Sequence, residues 1–379
     1  MKNRKLFILS AITIVVIIAA SITATLQAPQ VKRNKNILLP ELASRINDVT
    51  VISIKGNQHV LNLRKQNDIW VIENADNYPA IFEKVKDTVI SLSTLMILAE
   101  KTDNPEFYSR LGVEDPGTNQ SRSLLVTLKD NSESEISAII IGAQRHSKSA
   151  SSSPGLYVRR PNEAKALLVE GNLRITDNIT DWFNRDILDI PSSMIREVSI
   201  QHTDGDLLRM MKKNREAPEF ELQNYTEQKK SVFKIILNRI SKALEELRAN
   251  GVKSINQFKF PEDAVITQFN TFNGMIINVK SAKVDNKSYA HFSFDIDNSI
   301  IQDADDNVEE TQTTDRKTSV EAEVRIYNSV LSEWVFEIPD FKYQDLTKRL
   351  DSITNINSSG LLKNGDRESV NTMQKLDFP

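Results

Sequence analysis

The sequence predicts an α+β protein in which an N-terminal transmembrane helix is followed by two related units of mainly antiparallel sheet, each with a packed helix. Three observations predict this fold. Residues 6–26 carry no charge and consist largely of Ile, Val, Leu and Ala. Downstream, strand patterns follow one another rather than alternating regularly with helices. Two stretches about 150 residues apart show the same order of strand, strand and helix.

The first element is the apolar segment at residues 6–26. At about 1.5 Å of rise per residue, it is long enough to cross the apolar core of a bilayer, which is about 30 Å thick. A cleaved signal peptide is the alternative. Its apolar stretch is usually about 7–15 residues long, and Pro29 disfavours cleavage after Ala28. We therefore expect the segment to be retained as a single-pass anchor.

The orientation of the anchor depends on the charges around it. Three basic residues precede the segment and three follow it closely: Lys2, Arg4, Lys5, Lys32, Arg33 and Lys35. This balance is nearly even, but a long following domain translocates largely regardless of such charges. We expect a location in the cell inner (cytoplasmic) membrane, with a short cytoplasmic N-terminus and the bulk of the chain in the periplasm or otherwise outside the cytoplasm.

The rest of the chain is long enough for two domains. Pro191, Ser192 and Ser193 interrupt the pattern between them. We expect four regions: a cytoplasmic tip, anchor and linker at 1–36, a first α+β unit at 37–190, a second at 191–354, and a loosely ordered tail at 355–379.

The first strands of the two units resemble each other. Val49 and Val51 alternate with polar residues as a half-buried strand requires, and Val198 and Ile200 do the same at an offset of 149. In the strand patterns that follow, Trp70 matches Phe220 at an offset of 150.

A helix is predicted next in both units, because apolar residues at spacings of four, four, three and four share one helical face. In the first unit these are Ile81, Val85, Val89, Leu92 and Met96, and at an offset of 151 in the second they are Val232, Ile236, Ile240, Ala243 and Leu247. The near-constant offset predicts an internal repeat. Chance alignment of two strand–strand–helix patterns is the alternative.

Further strands are predicted after each helix. They fall at 124–128, 136–141 and 156–158 in the first unit and at 265–269, 275–279, 291–295 and 322–326 in the second. Asp130-Asn131 and Asn273-Gly274 are turn signals between neighbouring strands. Residues 146–154 and 297–318 are predicted to be polar loops.

The composition and the motifs disfavour several chemistries. The net charge of −3 argues against a nucleic-acid partner, and the absence of cysteine excludes disulfides and thiolate chemistry. The four histidines lack the paired spacing of a metal site. An EF-hand starting at Asp303 would have Val308 in place of glycine and Thr314 in place of glutamate. No phosphate loop or nucleophile elbow occurs, so we expect no catalytic residue, metal or cofactor.

One local cluster is a weak candidate for binding a partner: Trp182, Phe183 and Arg185. Aromatic residues and arginine often dominate interfaces. The alternative is an inter-domain clasp, in which Trp182 packs in the hinge and Arg185 pairs with an acid. The clasp is the favoured interpretation.

The order of elements resembles the domain-of-unknown-function family 4340, membrane-anchored bacterial proteins often encoded beside ABC-type permeases. The residues that carry the resemblance are 46–49, 70–72, 78–80, 108–113, 141–142, 157–159, 181–186 and 334–339. The resemblance implies a location in the envelope and an accessory role beside a transporter. It implies no catalytic residues.

Two functions from different classes follow. The first is a membrane-anchored, extracytoplasmic, non-enzymatic accessory or binding protein associated with an ABC-type permease. The second is an anchored hydrolase that acts on an envelope polymer through carboxylates that folding brings together. A structure separates them, because the enzyme needs a deep pocket with convergent titratable groups, whereas a binding module can use a broad groove or a sheet.

Overall fold

The computed structural model describes residues 36–117, 121–145, 154–171, 173–223, 230–303 and 310–354. In these ranges the chain is a mixed α/β protein, and all of its strand pairings are antiparallel. The expected α+β class with mainly antiparallel sheet is confirmed. The apolar segment at 6–26, most of the loop at 146–154 and the tail at 355–379 lie outside the described residues.

The first sheet contains nine strands. They are β1 (Val51–Lys55), β2 (Val60–Gln66), β3 (Ile69–Ile72), β4 (Tyr78–Pro79), β5 (Met96–Glu100), β6 (Leu124–Lys129), β7 (Glu135–Arg145), β8 (Gly155–Arg159) and β9 (Ala166–Glu170). Their spatial order is β4-β3-β2-β1-β6-β7-β8-β9-β5. Burial alternates as expected for a sheet with one face on the core: Ile52 and Ile54 are fully buried, while Ser53 between them is half-exposed.

A short ribbon and a second sheet follow. The ribbon pairs β10 (Asp186–Leu188) with β14 (Leu247–Arg248). The eight strands of the second sheet are β11 (Ile195–Gln201), β12 (Leu207–Met211), β13 (Glu221–Leu222), β15 (Gly251–Ser254), β16 (Val265–Thr271), β17 (Met275–Val284), β18 (Lys287–Ile296) and β19 (Trp334–Ile338). Their order is β13-β12-β11-β16-β17-β18-β19-β15.

The two sheets have the same strand order once β4, an extra edge strand of the first sheet, is set aside. Trp70 lies two residues before Ile72, which pairs with β2, and Phe220 lies two residues before Leu222, which pairs with β12. The two aromatic residues therefore occupy the same place in the two sheets. The predicted match between Trp70 and Phe220 therefore agrees with the strand register.

The predicted match between the first strands of the two sheets, β1 and β11, does not agree with the strand register. The buried pair next to the hairpin turn is Ile54–Leu61 in the first sheet and Ile200–Leu208 in the second. Ile54 therefore corresponds to Ile200. The sequence offset had matched Ile200 with Val51, three residues earlier in the chain. Loops of different length account for the shift, because they move strands along the sequence without changing their pairing.

Eight helices occur in the described ranges. They are α1 (Pro40–Ser44), α2 (Phe82–Ser93), α3 (Tyr108–Leu111), α4 (Lys230–Ser241), α5 (Asn298–Asp303), α6 (Glu310–Leu331), α7 (Asp340–Leu346) and α8 (Leu350–Thr354). The predicted helices correspond to α2, which contacts β3, and α4, which contacts β13. None of the helices within these ranges combines the length and the apolar character needed to cross a membrane.

The predicted helical faces are only partly correct. Val85, Val89 and Leu92 of α2 are buried, but Ile81 precedes the helix and is 38% exposed. Met96 and Leu247 lie beyond the helix ends, in β5 and β14. Leu247 is fully buried in its strand, whereas Met96 is only half-buried, so apolar spacing alone does not mark where either helix ends.

The predicted strand at 322–326 and the predicted loop at 297–318 are wrong. Residues 322–326 lie in the middle of α6, and the described parts of 297–318 belong largely to α5 and α6. Ala322, Val324 and Ile326 alternate as a strand would, but in the part of α6 from residue 317 onward the buried side chains are Val320, Val324 and Leu331, at helical spacing.

The N-terminal segment of the described chain follows the outer edge of β5. The Ile97 amide donates to the Asn36 carbonyl at 3.0 Å, and the Leu38 amide donates to the Leu95 carbonyl at 2.8 Å. Ile37 forms a β-bridge with Met96. The chain is thus fixed to the first sheet from Asn36 onward.

Candidate functional site

The predicted aromatic cluster lies in the core between the two sheets. Trp182 and Phe183 are buried. The Trp182 Nε1 donates to the Thr176 carbonyl at 3.0 Å, and the Trp182 carbonyl accepts from the Ile81 amide at 2.7 Å. The Phe183 ring meets the Tyr78 ring edge-on, with 5.5 Å between centroids. Both aromatic side chains are therefore inaccessible to a partner in this conformation.

Arg185, directly before β10, is bonded to the turn between β14 and β15. Its Nε donates to the Ala249 carbonyl at 2.9 Å, and its Nη2 donates to Asn250 Oδ1 at 2.8 Å. The Ala249 amide donates back to the Arg185 carbonyl at 2.7 Å. Next to it, Asp186 and Arg248 form an ion pair at 2.9 Å. This arrangement favours the clasp over the docking surface, although the arginine binds a carbonyl and an amide rather than the expected acid.

Tyr78 of β4 forms the other half of the junction between the sheets. Its ring lies 4.8 Å from the ring of Trp334 and 6.1 Å from that of Phe336, both edge-on and both in β19 of the second sheet. The Ser254 amide, on β15, donates to Asp76 Oδ2 at 2.8 Å. Burial raises the pKa of Tyr78 above its ordinary value of 10.0, because the phenolate is poorly solvated there.

An open groove of about 580 Å³ runs along α2 beside the junction. Lys84 and Arg174 supply positive charge, and Asp87 supplies negative charge. The Lys84 ammonium donates to the Asp181 carbonyl at 2.8 Å and lies 4.7 Å from the Trp182 ring centroid. Burial lowers the pKa of Lys84 from its ordinary value. Because the charges in this groove are mixed and Lys84 is already bonded within the chain, the groove does not favour a particular class of ligand.

A second groove, of about 280 Å³, brings serine, histidine and aspartate together. His59 Nδ1 is 4.0 Å from Asp177 Oδ2, which is longer than a hydrogen bond. The buried Ser123 hydroxyl donates to the Glu114 carbonyl at 2.6 Å, and it also lies 2.6 Å from the Ser121 hydroxyl. A nucleophilic serine needs a base within hydrogen-bond reach, and this arrangement does not provide one.

The other histidines have structural contacts. His202 Nδ1 is 3.3 Å from Arg349 Nη1, and His291 Nε2 is 2.8 Å from the Ser332 carbonyl. His146 lies outside the described residues, as does most of the acidic run at 303–310. Within the described part of the chain, no group of three or more His, Asp or Glu could hold a metal ion.

The outer face of the second sheet carries uncharged polar side chains in register on neighbouring strands. Ser199 pairs with Gln268, Gln268 with Asn278, and Asn278 with Ser293. Because strands lie about 4.8 Å apart, these four residues form a row about 14 Å long. Together with Asn270, which follows on the same side of β16, we call this set the amide face.

The members of the amide face keep much of their hydrogen-bonding capacity. All five are half-buried. Gln268 Nε2 donates to Asn270 Oδ1 at 3.2 Å. The side chains of Ser199, Asn278 and Ser293 have no hydrogen-bond partner among the residues that the structure describes. Carboxamides and hydroxyls both donate and accept, so the face offers both functions to a ligand.

Lysines and aromatic rings border the amide face at one end. Lys280 lies two residues after Asn278 on β17, and its ammonium is 4.9 Å from the Phe260 ring centroid. Phe258 is 4.8 Å from both Phe260 and Tyr289, measured between ring centroids. The Lys253 ammonium lies 5.3 Å from the Tyr289 ring centroid. We call Lys253, Phe258, Phe260, Lys280 and Tyr289 the lysine–aromatic end.

Sequence reasoning missed the amide face. The available signal was the alternation of Gln268, Asn270 and Asn278 with buried apolar residues, which indicates that the three amides face outward. Alternation within one strand does not show which residues of other strands will lie beside it, so the row became visible only with the register.

Comparison with protein families gave one finding. A family model described as a domain of unknown function (DUF4340) matches residues 70–265, just over half of the chain. The matched region runs from β3 of the first sheet to β16 of the second. Comparisons with curated proteins and with solved structures found no match.

Proposed function

Because the chain belongs to the DUF4340 family, whose description assigns no activity, we propose its function from the site: a membrane-anchored, extracytoplasmic binding protein that works without catalysis beside an ABC-type permease. Residues 6–26 form the anchor in this proposal. The observation that carries the binding role is the amide face, an accessible row of polar side chains whose hydrogen-bonding groups are not all used within the described chain.

The fixed N-terminal segment supports a role close to the membrane. Nine residues, or ten Cα–Cα steps, separate Leu26, at the end of the apolar segment, from Asn36, which is hydrogen-bonded to β5. Even fully extended, that length of chain spans at most about 35 Å. A body held this close to a bilayer has a high effective concentration towards other proteins in the same membrane.

The common strand order supports an internal repeat. We propose that residues 37–190 and 191–354 are related units, each built on one sheet with its helix against the third strand. The junction around Tyr78 and Arg185 then joins the two copies. In this arrangement the second unit presents the binding face and the first unit receives the chain from the anchor.

The anchor and its orientation are tested on the full chain in bacterial cells. Carbonate extraction should leave the protein in the membrane fraction, with residues 6–26 present by N-terminal mass determination. Protease added to spheroplasts should digest the body. Val16→Arg should shift the protein out of the membrane fraction, since a charge at the centre of a helix costs about 2.5–3.5 kcal/mol on insertion, whereas Val16→Leu should not. A soluble mature protein that begins near Thr25 would refute the anchor, and protease resistance would refute the orientation.

The partner is tested by amine-reactive crosslinking in cells that encode the chain, followed by purification in a mild detergent and mass spectrometry. The expected product contains an ABC-type permease. Recovery of the chain without a permease would refute the accessory role. Turnover of an envelope polymer by the purified chain, lost on a single serine or carboxylate substitution that leaves the fold intact, would refute the binding role in favour of the anchored hydrolase.

A further inference from the structure

We propose that the amide face and the lysine–aromatic end together bind an acidic glycan, a polysaccharide strand that carries carboxylates. This inference rests on the proposed binding function and names its ligand class.

The hydrogen-bonding groups of the amide face match those of a sugar. A sugar hydroxyl both donates and accepts a hydrogen bond, and so do the side chains of Ser199, Asn278 and Ser293. These groups are half-buried and without partners among the described residues, so a ligand can use them without breaking bonds within the described chain. The strand spacing of about 4.8 Å is close to the length of one pyranose ring, which lets a glycan lie across the strands with successive sugars over successive side chains.

Two lysines place positive charge beside that face. Lys280 and Lys253 are exposed, and neither forms an ion pair within the described ranges. Their ammonium groups sit beside aromatic rings, which hold them through the negative charge of the ring faces. The register pairs Lys280 with Ile266 and His291, so its positive charge lies alongside the neutral row, two residues further along the strand. Positive charge beside a row of neutral hydrogen-bonding groups fits a glycan with carboxylates rather than a neutral one.

The outer face of the first sheet differs from the amide face. At the corresponding place on its outer face, Ser53 pairs with Asn62 and with Thr127, and Thr127 pairs with Ala138. The Ser53 hydroxyl donates to Asn62 Oδ1 at 2.9 Å, so part of that row is already satisfied, and the row ends in a side chain with no polar group. In the second sheet Arg209, which lies beside Ser199 as Asn62 lies beside Ser53, is also engaged, in an ion pair with Glu197. The row beyond Ser199 nevertheless stays polar to its end, so we place the ligand on the second sheet.

The experiment measures binding of defined oligosaccharides to the full chain in a mild detergent by isothermal titration calorimetry. The probe is an oligogalacturonate. Its methyl ester has the same sugars without charge, and polyglutamate has the charge without hydroxyls. We expect the oligogalacturonate to bind at least about tenfold more tightly than either comparison ligand. Absence of binding to the oligogalacturonate at millimolar concentrations, or equal binding of polyglutamate, overturns the proposal.

Two variants assign the binding to the face. Asn278→Ala should weaken oligogalacturonate binding about three- to tenfold, the effect of one lost hydrogen bond. Lys280→Gln should weaken it about three- to fivefold, the effect of one exposed charge, and should leave the weak binding of the methyl ester unchanged. Lys55→Gln makes the same charge change on the outer face of the first sheet and should leave every affinity unchanged.

Both outcomes for these variants are informative. Neither target side chain has a hydrogen bond that the fold needs, so far-UV circular dichroism should be unchanged. If both variants bind like the unsubstituted chain, the site is elsewhere and the proposal is wrong. Absence of glycan binding would leave the predicted crosslink to a permease unaffected. Absence of that crosslink together with intact glycan binding would refute the accessory role alone.

Discussion

The contact between Tyr78 and Trp334 should couple the stability of the two sheets. Tyr78 belongs to β4 of the first sheet and Trp334 to β19 of the second, and their rings meet edge-on at 4.8 Å between centroids. Tyr78 also touches Phe183 and Phe336, so its ring is the common member of the aromatic contacts at the junction. Replacing Tyr78 and Trp334 by alanine, singly and together, measures what this one contact contributes.

The expected magnitudes follow from burial and geometry. Tyr78 is 9% exposed, so Tyr78→Ala should destabilise by about 3–5 kcal/mol, as for other buried aromatic residues. Trp334 is only half-buried, so its substitution should cost less. An edge-to-face pair at this separation contributes about 0.5–1.5 kcal/mol beyond area burial, and the double mutant should be less destabilised than the sum of the single mutants by that amount.

The assay is urea unfolding of the full chain in a mild detergent, followed by far-UV circular dichroism. A single transition that moves in all three variants is the expected result, because one apolar core runs through both sheets. As a control, Phe82→Ala changes a ring that is 54% exposed and should be additive with Trp334→Ala. Additivity of Tyr78→Ala and Trp334→Ala within about 0.3–0.5 kcal/mol would refute the coupling. So would two separate transitions of which only one moves.

Three further outcomes test the core, the clasp and the buried phenol. Val89→Asp and Ile240→Asp should each destabilise by several kcal/mol in urea unfolding, because each places a lone charge in the core, whereas Ile235→Asp on the same helix as Ile240, at a 69% exposed position, should cost little. Arg185→Ala should lower the free energy of unfolding by about 1–3 kcal/mol through loss of two hydrogen bonds, and a loss of crosslinking to the membrane partner with unchanged stability would contradict the clasp. The pKa of Tyr78 is raised in the folded state, so its contribution to stability is fully present below pH 10.0 and is lost as the pH rises through the folded-state value. Tyr78→Phe should make that alkaline loss shallower, and an unchanged pH profile would show that the phenol does not titrate with unfolding.

Much of the fold followed from local periodicity, and its errors have a common physical cause. The alternation of Val198 and Ile200 and the helical spacing of Val85, Val89 and Leu92 identified real elements, since each pattern reflects one buried face. The same spacing did not mark the end of a helix. Met96 continues the helical spacing of α2 but belongs to strand β5. Leu247 likewise continues the spacing of α4 but lies in β14, where it is fully buried, since burial continues across a turn when both elements pack on the same core.

The candidate site was less accessible to sequence reasoning than the fold. The aromatic cluster at Trp182 was conspicuous because large apolar and charged residues are adjacent there, and the structure places its aromatic side chains in the core. The amide face consists of residues from β11, β16, β17 and β18, no one of which is unusual alone. Their proximity depends on strand register, which is set by turns and by the packing of the opposite face.

The difference between the two sheets explains why the ligand is assigned to a face rather than to an edge. In the second sheet, α6 is inserted between β18 and β19, which pair only from Ser288 to His291 along β18. Beyond that point, Asn328 of α6 replaces the missing strand: its Oδ1 accepts from the Phe294 amide at 2.9 Å, and its Nδ2 donates to the Phe294 carbonyl at 2.8 Å. An open edge would be a template for strand addition, and this side chain occupies it. With this part of β18 bonded to Asn328 and the inner face packed on the core, the outer face, with its partly unused hydrogen-bonding groups, is the surface on which we place the ligand.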